Sequence, residues 1–385
     1  MTTTVDVAVI GAGVHGAAAA FHLARRGVSV VLIERWQPAG GPTGRSSAVC
    51  RAYYTNAFLA ACARDSIAML ERFEEETGVD AGHRRTGFVY LHEASDADAV
   101  TANAARLTRE GIEVRVLGAA ELAEILRGAV LDDVGVAAYE PAAGYADPHA
   151  TTEGLAKGAV AAGAVPRYGR IVTSLAPVGP AGALLTLDDG ETIAAGRVLV
   201  AAGPWTRPLA LQAGADLPLT VERHVVATFR WGGAEPVHAH SDLIRGGYYF
   251  RPEGEDLFLM GPVLPEPQAD PDDFDERIAP AEVERLGAAA VARVPRLEAA
   301  EVARGWASLY DVSPDWQPVI GEIAPGVFVD AGTSGHGFKL APALGAHVAA
   351  MVLGEPAAGL EAFDPFRFAQ GHELAAGYGA AKILG

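Results

Sequence analysis

Cysteine is nearly absent: Cys50 and Cys62 are the two thiols in 385 residues. Two can form one bridge at most, and neither stands in a CxxC or similar ligand spacing. The expectation is therefore a pair of reduced core thiols in a cytoplasmic protein, with no metal site. No apolar run approaches the roughly 18 residues of a spanning helix. The opening, MTTTVDVAVIG, enters a strand pattern at once, with no basic n-region or cleavage site, so no secretory leader is expected. No repeat of fixed period is present. Positive charge is scarce, with 30 Lys and Arg against 48 Asp and Glu, a net charge of −18. Such a surface repels phosphate backbones and anionic lipids, so neither nucleic acid nor a membrane is expected as a partner. An anionic ligand would need a local basic patch.

What is abundant is core material. Hydrophobic residues make up 50 % and charged residues 20 %. That composition is globular, and the length calls for two domains or one elaborated domain.

The most informative segment is VAVIGAGVHGAAAAFHLARRGVSVVLIER. Val5 to Ile10 is apolar almost throughout, as a buried parallel strand is. Ala17 to Arg26 reads as a helix closed by Gly27, and Val28 to Ile33 as a second strand ending at Glu34. In GAGVHG, Gly11 permits the tight turn, Gly13 lets the backbone approach a pyrophosphate, and Gly16 lets the helix pack closely on the strand. Val14 and His15 complete the loop, and the free N–H groups of the helix N-terminus suit phosphate. Glu34 is placed to accept hydrogen bonds from a ribose, which disfavours NADP, and Arg35 follows it. The segment is a dinucleotide site that alone does not separate NAD from FAD.

Farther on, residues 36–50 read as a loop, 57–77 as a helix and 86–92 as a strand. Residues 96–127 look helical in two pieces broken near Gly111 and Gly118. Another helix spans 151–162, with strands near 165–175, 184–187 and 197–202 and a hairpin signal in DDG at 188–190. Residues 219–263 are strand-rich, the acidic run EPQADPDDFDERIAP reads as a loop of solvated charges, and 281–293 as a helix. The end returns to strand, glycine loop and helix. The order implies an α/β fold: a doubly wound, Rossmann-like domain with an inserted, mainly antiparallel substrate domain. The expected division assigns 1–80, 145–219 and 304–385 to the first and 81–144 and 220–303 to the second.

Eight motifs, in order, resemble the D-amino-acid oxidase superfamily of flavoproteins, in its sarcosine oxidase and dimethylglycine dehydrogenase branch. They are GAGVHG, GRSSAVCRAYY, TGFVYL, GYADPHATTEGLAKGAVAAGA, VLVAAGPW, GGYYFRPEG, RGWASLYDVSPDWQPVIG and GTSGHGFKLAPALG. The last two are the most specific, and the resemblance spans nearly the whole chain. It implies FAD rather than NAD. Gly335, His336, Gly337, Phe338 and Lys339 match the loop that wraps the flavin, where glycine N–H groups and a helix N-terminus favour negative charge. Arg45, Ser46 and Ser47 match the loop beside the flavin, and Val172 the residue meeting the adenine. Gly203 and Trp205 match a further cofactor loop, Trp205 equally as packing. For a substrate carrying a carboxylate, the resemblance points to Arg51, whose planar fork suits that group. Lys339 is the second cation, and Tyr249 and Tyr310 match aromatic positions lining the pocket.

The chain also departs from that pattern. Ser308 stands where some sarcosine oxidases carry the cysteine that links their flavin, and 36–50 holds no histidine for another linkage. Non-covalent FAD is expected. Phe258, within two residues, falls where monomeric sarcosine oxidases carry an oxygen-activating lysine, and Pro262 replaces a histidine. The expected reaction is oxidation of the C–N bond of an amino acid or N-substituted amino acid to an imine, with oxygen as acceptor giving hydrogen peroxide. The alternatives are a dehydrogenase of an amine or 2-hydroxy acid, with His224 or His336 as base, and a flavin-binding subunit of a larger complex.

Overall fold

The computed structural model describes residues 2–179, 181–233 and 237–375. Of the first expected domain, 1, 180 and 376–385 lie outside the described residues, and of the second, 234–236.

The opening strand, Thr2–Ile10, pairs in parallel with Val30–Glu34 on one side and Thr192–Val200 on the other. Val165–Tyr168 extends the sheet beyond the second strand, and Val327–Ala331 beyond Thr192–Val200. Strands buried on both faces must be apolar throughout, which is why VVLIE and VFVDA show no alternation. Val7, Val9 and Leu32 pack on one face, against the helices Val14–Ala24, Pro148–Ala161 and Ala341–Leu353. Ala8, Ile10, Val31 and Ile33 pack on the other, under the antiparallel strands Val172–Pro177 and Ala183–Leu187 and the helix Thr206–Gln212.

A second sheet runs in the order Glu301–Val312, Thr220–Arg230, Leu257–Pro262, Tyr248–Glu253, His240–Asp242, Phe88–His92, Val136–Glu140, Arg115–Val116. It is antiparallel apart from the pair His240–Asp242 and Phe88–His92. Glu301–Val312 pairs along its length with Thr220–Arg230, so this sheet continues past the expected boundary at 303/304. A third, small sheet joins Val49–Cys50, Gly144–Tyr145 and Arg84–Arg85.

Local differences from the sequence reading have local causes. The 57–77 helix is two, Ala57–Glu71 and Phe73–Thr77, parted at Arg72. The 165–175 strand is likewise two, because Val165–Tyr168 belongs to the parallel edge and Val172–Pro177 to the antiparallel meander. Gly169, at φ 69°, turns the chain between them. Both cysteines are buried and free, and burial pushes the Cys50 thiol up to about 12. Among the described residues no helix is long and apolar enough to cross a membrane.

Candidate cofactor and substrate site

A cavity of about 350 Å³ opens at the carboxyl ends of the parallel strands, lined by Ile10, Ile33, Ala201 and Asp330. This is where the strand order switches direction, the usual ligand position in an open α/β sheet. Gly11 makes the turn at φ +102°, and a Cβ there would lie 2.3 Å from the Ala201 carbonyl oxygen. A Cβ on Gly16 would lie 1.9 Å from the Gly11 oxygen, so Gly16 packs helix against strand and does not line the cavity. Gly13, Val14 and His15 do line it. Gly13 caps the helix Val14–Ala24 without a side-chain hydrogen bond, and no acid occupies the first turn. The Val14 N–H donates to the Thr43 hydroxyl at 3.3 Å, and the positive dipole end faces the cavity, where it suits an anion.

Glu34 lines the cavity and accepts from the Ala12 N–H at 2.7 Å and the Trp36 N–H at 2.9 Å. Burial pushes its carboxyl up, opposed by these two bonds. Arg35 lies over the rings of Trp36 and Trp205, at 4.8 and 4.7 Å.

The acidic run read as solvated charge is largely exposed, with Asp272 at 66 % and Glu276 at 60 %, and it folds across the cavity mouth. Asp272 accepts from Arg35 at 3.2 Å and from the Trp205 indole at 2.8 Å. Glu276 pairs with Arg45 at 2.9 Å. Two arginines that sequence assigned to a cofactor are the reason: they offer the carboxylates partners that water would otherwise supply. Such exposed pairs are each worth about 0–1 kcal/mol. The double variant Asp272→Asn, Glu276→Gln should therefore release bound FAD about two- to fivefold faster. Transfer of flavin to an excess of a competing apoprotein measures this, and an unchanged rate removes the segment from the exit path.

Arg45, Ser46, Ser47, Val172, Gly203, Trp205, Gly335, Gly337 and Phe338 all line the cavity. His336 and Lys339 do not. The His336 ring faces the Trp316 carbonyl at 2.8 Å and the Tyr54 hydroxyl at 3.3 Å. Burial, with Lys339 adding to it, lowers His336 to about 3. Lys339 donates to the His336 carbonyl at 3.3 Å. Burial and neighbouring Arg51 hold its amine well below the ordinary lysine range. Arg51 is buried, donates to the Tyr53 carbonyl at 2.9 Å and lies 4.8 Å over the Tyr54 ring. It does not line the cavity either. Arg51 and Lys339 belong to a buried cluster with Glu140, which accepts from the Ala52 N–H at 2.7 Å and the Tyr90 hydroxyl at 2.8 Å. Burial raises Glu140, and Arg51 opposes that. Nothing in the sequence singled out Glu140 beyond a lone acid closing an apolar strand.

Tyr249, Tyr310, Ser308 and His224 form the other end of the cavity wall. Burial raises both tyrosines. The Tyr310 ring packs against the glycine loop, 2.2 Å from where a Cβ on Gly335 would stand. Phe258 stacks on Phe229 and Phe250 in a separate core cluster, and the strand LFLMGP carries no charge.

His15 joins two distant parts of the site. Its Nδ1 lies 2.9 Å from Asp330 and its Nε2 3.1 Å from the Gly337 carbonyl. Both partners only accept, so the ring is best served as an imidazolium. Burial opposes the charge, but Asp330, through charge and hydrogen bond, and Asp311 raise the ring above its ordinary value. A raised folded-state pKa contributes stability fully present below the unfolded value of about 6.5 and lost as pH rises through the folded value. Wild type should thus lose melting temperature relative to His15→Gln on passing from mildly acidic to alkaline solution. A constant difference between the two would show that the ring does not titrate there.

Sequence comparison places this geometry in a family. The family model described as FAD dependent oxidoreductase matches residues 6–351. The chain belongs to that family. It is 28 % identical over 387 residues to mitochondrial dimethylglycine dehydrogenase of Rattus norvegicus, covering 94 % of this chain and 45 % of that protein. The chain thus spans less than half the length of the dimethylglycine dehydrogenases it matches. It is 27 % identical to glycine oxidase of Geobacillus kaustophilus, over 91 % of this chain and 94 % of the relative. The crystal structure of that glycine oxidase superposes with a TM-score of 0.82 at 26 % identity, covering 95 % of this chain and 99 % of that one. An L-proline dehydrogenase from P. horikoshii has the same fold, with a TM-score of 0.86 at 24 % identity over 96 % and 99 % of the two chains.

Proposed function

We propose that this flavoprotein oxidises the C–N bond of an amino acid or N-substituted amino acid to an imine. The observation that carries this reading is the two-ended cavity. One end has the glycine turn and the N-terminus of the helix Val14–Ala24, and the other a wall that includes Tyr249 and Tyr310, with Arg51 and Lys339 buried outside the lining. The cradle fits a dinucleotide, since side chains at Gly11 or Gly16 would collide with backbone. Bound FAD supplies the two-electron acceptor.

The chain's own groups do the rest. The helix at Val14 receives the pyrophosphate, Glu34 a ribose, and Val172 the adenine. The Gly335–Phe338 loop lies along the ring system, with Ser46 and Ser47 beside it. Arg51, joined by Lys339, is the group assigned to the substrate carboxylate, which it reaches only once its side chain turns out of the Glu140 cluster, and Tyr249 and Tyr310 exclude water and orient the amine. Orientation provides most of the acceleration. With Ser308 in the wall, FAD is held non-covalently, so acid precipitation should leave the yellow colour in the supernatant.

Oxygen serves as acceptor in this reading, giving peroxide. A second reading, transfer to another carrier, is favoured by the uncharged strand Leu257–Pro262. Anaerobic mixing of the loaded protein with glycine, sarcosine, N,N-dimethylglycine, L-proline and 2-hydroxy acids tests both. Bleaching by an amine supports the proposal, and bleaching by hydroxy acids alone overturns it. Readmitted air then separates oxidase from dehydrogenase by the rate at which colour returns.

A further inference from the structure

The loop that lines the cavity at Gly335, Gly337 and Phe338 is pinned from behind. It lies along the turn that leaves the strand Glu301–Val312, and the two are joined at successive positions. The Asp311 carboxylate accepts from the Gly332 N–H at 2.7 Å, and its carbonyl accepts from the Ser334 N–H at 2.8 Å. The Ser313 N–H donates to the Ser334 hydroxyl at 3.2 Å. The Trp316 carbonyl accepts from the His336 Nε2 at 2.8 Å. The His336 carbonyl in turn accepts from Lys339. The turn therefore sets where the loop stands and which way His336 points.

This junction is held in a costly shape. Trp316 has φ +60° on the turn, and Ser334 has φ +50° on the loop. Left-handed backbone is an outlier for a residue as bulky as tryptophan. Such strain persists only where the surroundings over-determine it. The restraint is Arg367, which arrives 52 positions after Asp315, in the segment beyond the helix Ala341–Leu353. Its Nε and Nη2 grip the two oxygens of Asp315 at 2.9 and 2.8 Å. Nη2 also donates to the Gln317 carbonyl at 3.0 Å, and Nη1 to the Phe363 and Asp364 carbonyls at 3.1 and 3.2 Å. All five guanidinium donors are thus spent. Asp315 accepts from the Leu374 N–H as well, at 3.0 Å. The two side chains are 3 % and 1 % exposed. Burial alone would push the Asp315 carboxyl up, but Arg367 and the Leu374 N–H hold it below its ordinary value. Neither residue lines the cavity.

We propose that Arg367 is a positioning residue for the flavin loop, acting through Asp315 and the Trp316 turn. The idea rests on the flavin reading of the cavity and not on the identity of the amine. Without the guanidinium, the turn is free to leave the left-handed conformation. The Trp316 carbonyl then withdraws from His336, and the loop loses a pin. A misplacement of about 1 Å, even one arising far from the chemistry, costs about 10²-fold in rate.

The test compares FAD-loaded wild type, Arg367→Met, Arg367→Lys and Arg293→Met. Arg293 is the matched control. Its Nε donates to Asp242 at 2.6 Å with both side chains fully buried, away from the cavity lining. Three quantities are followed: the melting temperature, the FAD dissociation constant, and the visible circular dichroism of bound flavin, which reports the asymmetry of its surroundings. Arg367→Met and Arg293→Met should both melt earlier than wild type. Only Arg367→Met should change the dichroism and bind FAD more weakly, by about tenfold, the worth of about one hydrogen bond. Its limiting rate of anaerobic reduction, by whichever amine bleaches the wild type, should fall about 10²-fold. Arg367→Lys keeps the charge without the planar fork. It should regain much of the stability and only part of the dichroism, and it decides the matter where Arg367→Met fails to fold.

An Arg367→Met protein that melts early but keeps the wild-type FAD constant and dichroism makes the pair purely architectural and overturns the proposal. Equal changes in Arg293→Met overturn it too, since they trace the effect to lost stability. If no amine bleaches the wild type, the amine reading falls, and the FAD constant and dichroism still decide this proposal. A wild type that takes up no FAD overturns both.

Discussion

Gly16→Ala should yield a protein that folds poorly and purifies without colour. The added Cβ would stand 1.9 Å from the Gly11 oxygen and 3.3 Å from Val9 Cγ1. Neither the turn nor the central strand can yield, so the helix Val14–Ala24 has to lift. Overpacking of this kind costs about 3 kcal/mol. The same displacement pulls the helix N-terminus away from the cavity, and FAD affinity should fall by about two orders of magnitude or more. Fluorescence quenching on FAD titration measures the affinity, and urea unfolding the stability. Gly27→Ala is the internal control. A Cβ there meets nothing within 4 Å, so only its φ of +77° is penalised, by about 1–2 kcal/mol. FAD affinity should be untouched. A Gly16→Ala protein that retains full colour would contradict the packing role given to this glycine.

Arg51→Ala should fail in two ways that can be read separately. Removing the guanidinium leaves Glu140 buried without the positive charge beside it, though with its bonds from Ala52 and Tyr90. Stripping one partner from buried charges costs about 3–5 kcal/mol, visible as a lower urea midpoint. Apart from that, the apparent dissociation constant of an amino acid substrate should rise by about 10- to 150-fold, the equivalent of one charged hydrogen bond at about 1.5–3 kcal/mol. Arg51→Lys should recover much of the stability and little of the binding, because an ammonium lacks the planar fork. Lost stability with unchanged binding would make Arg51 purely architectural.

How far the molecule could be read from its residues differs between its two halves. The parallel sheet was legible because strands buried on both faces leave unbroken apolar runs, and because the glycine spacing in GAGVHG admits few other geometries. The inserted sheet was legible as strand-rich, but its extent was not. Glu301–Val312 looks like the start of the returning α/β segment, and only pairing with Thr220–Arg230 assigns it to the second sheet. At the site, Gly11, Gly13, Gly335 and Gly337, the serines at 46 and 47, and the tyrosines at 249 and 310 all line the cavity. His336 and Lys339 share a loop with Gly335 and Gly337 yet turn behind it, a difference of side-chain direction that motif matching does not encode. Asp272 and Glu276 are exposed as read, but their pairing with Arg35 and Arg45 was hidden, because a charge run carries no signal of a partner more than two hundred positions away. Glu140 and Asp330 were invisible for the same reason: a single acid after an apolar strand acquires meaning only from what folding sets against it.

The bond between His15 and Asp330 spans 315 positions of sequence. During synthesis the glycine turn emerges about three hundred residues before the strand Val327–Ala331 and the loop after it. An early chain therefore holds half of a cradle, with an imidazole that has no counter-charge and a turn whose supporting strand is still missing. Cofactor capture for this reason waits until the strand Val327–Ala331 has docked. The nascent chain depends on the order in which its segments dock, and a chain released early would have nothing with which to retain the flavin.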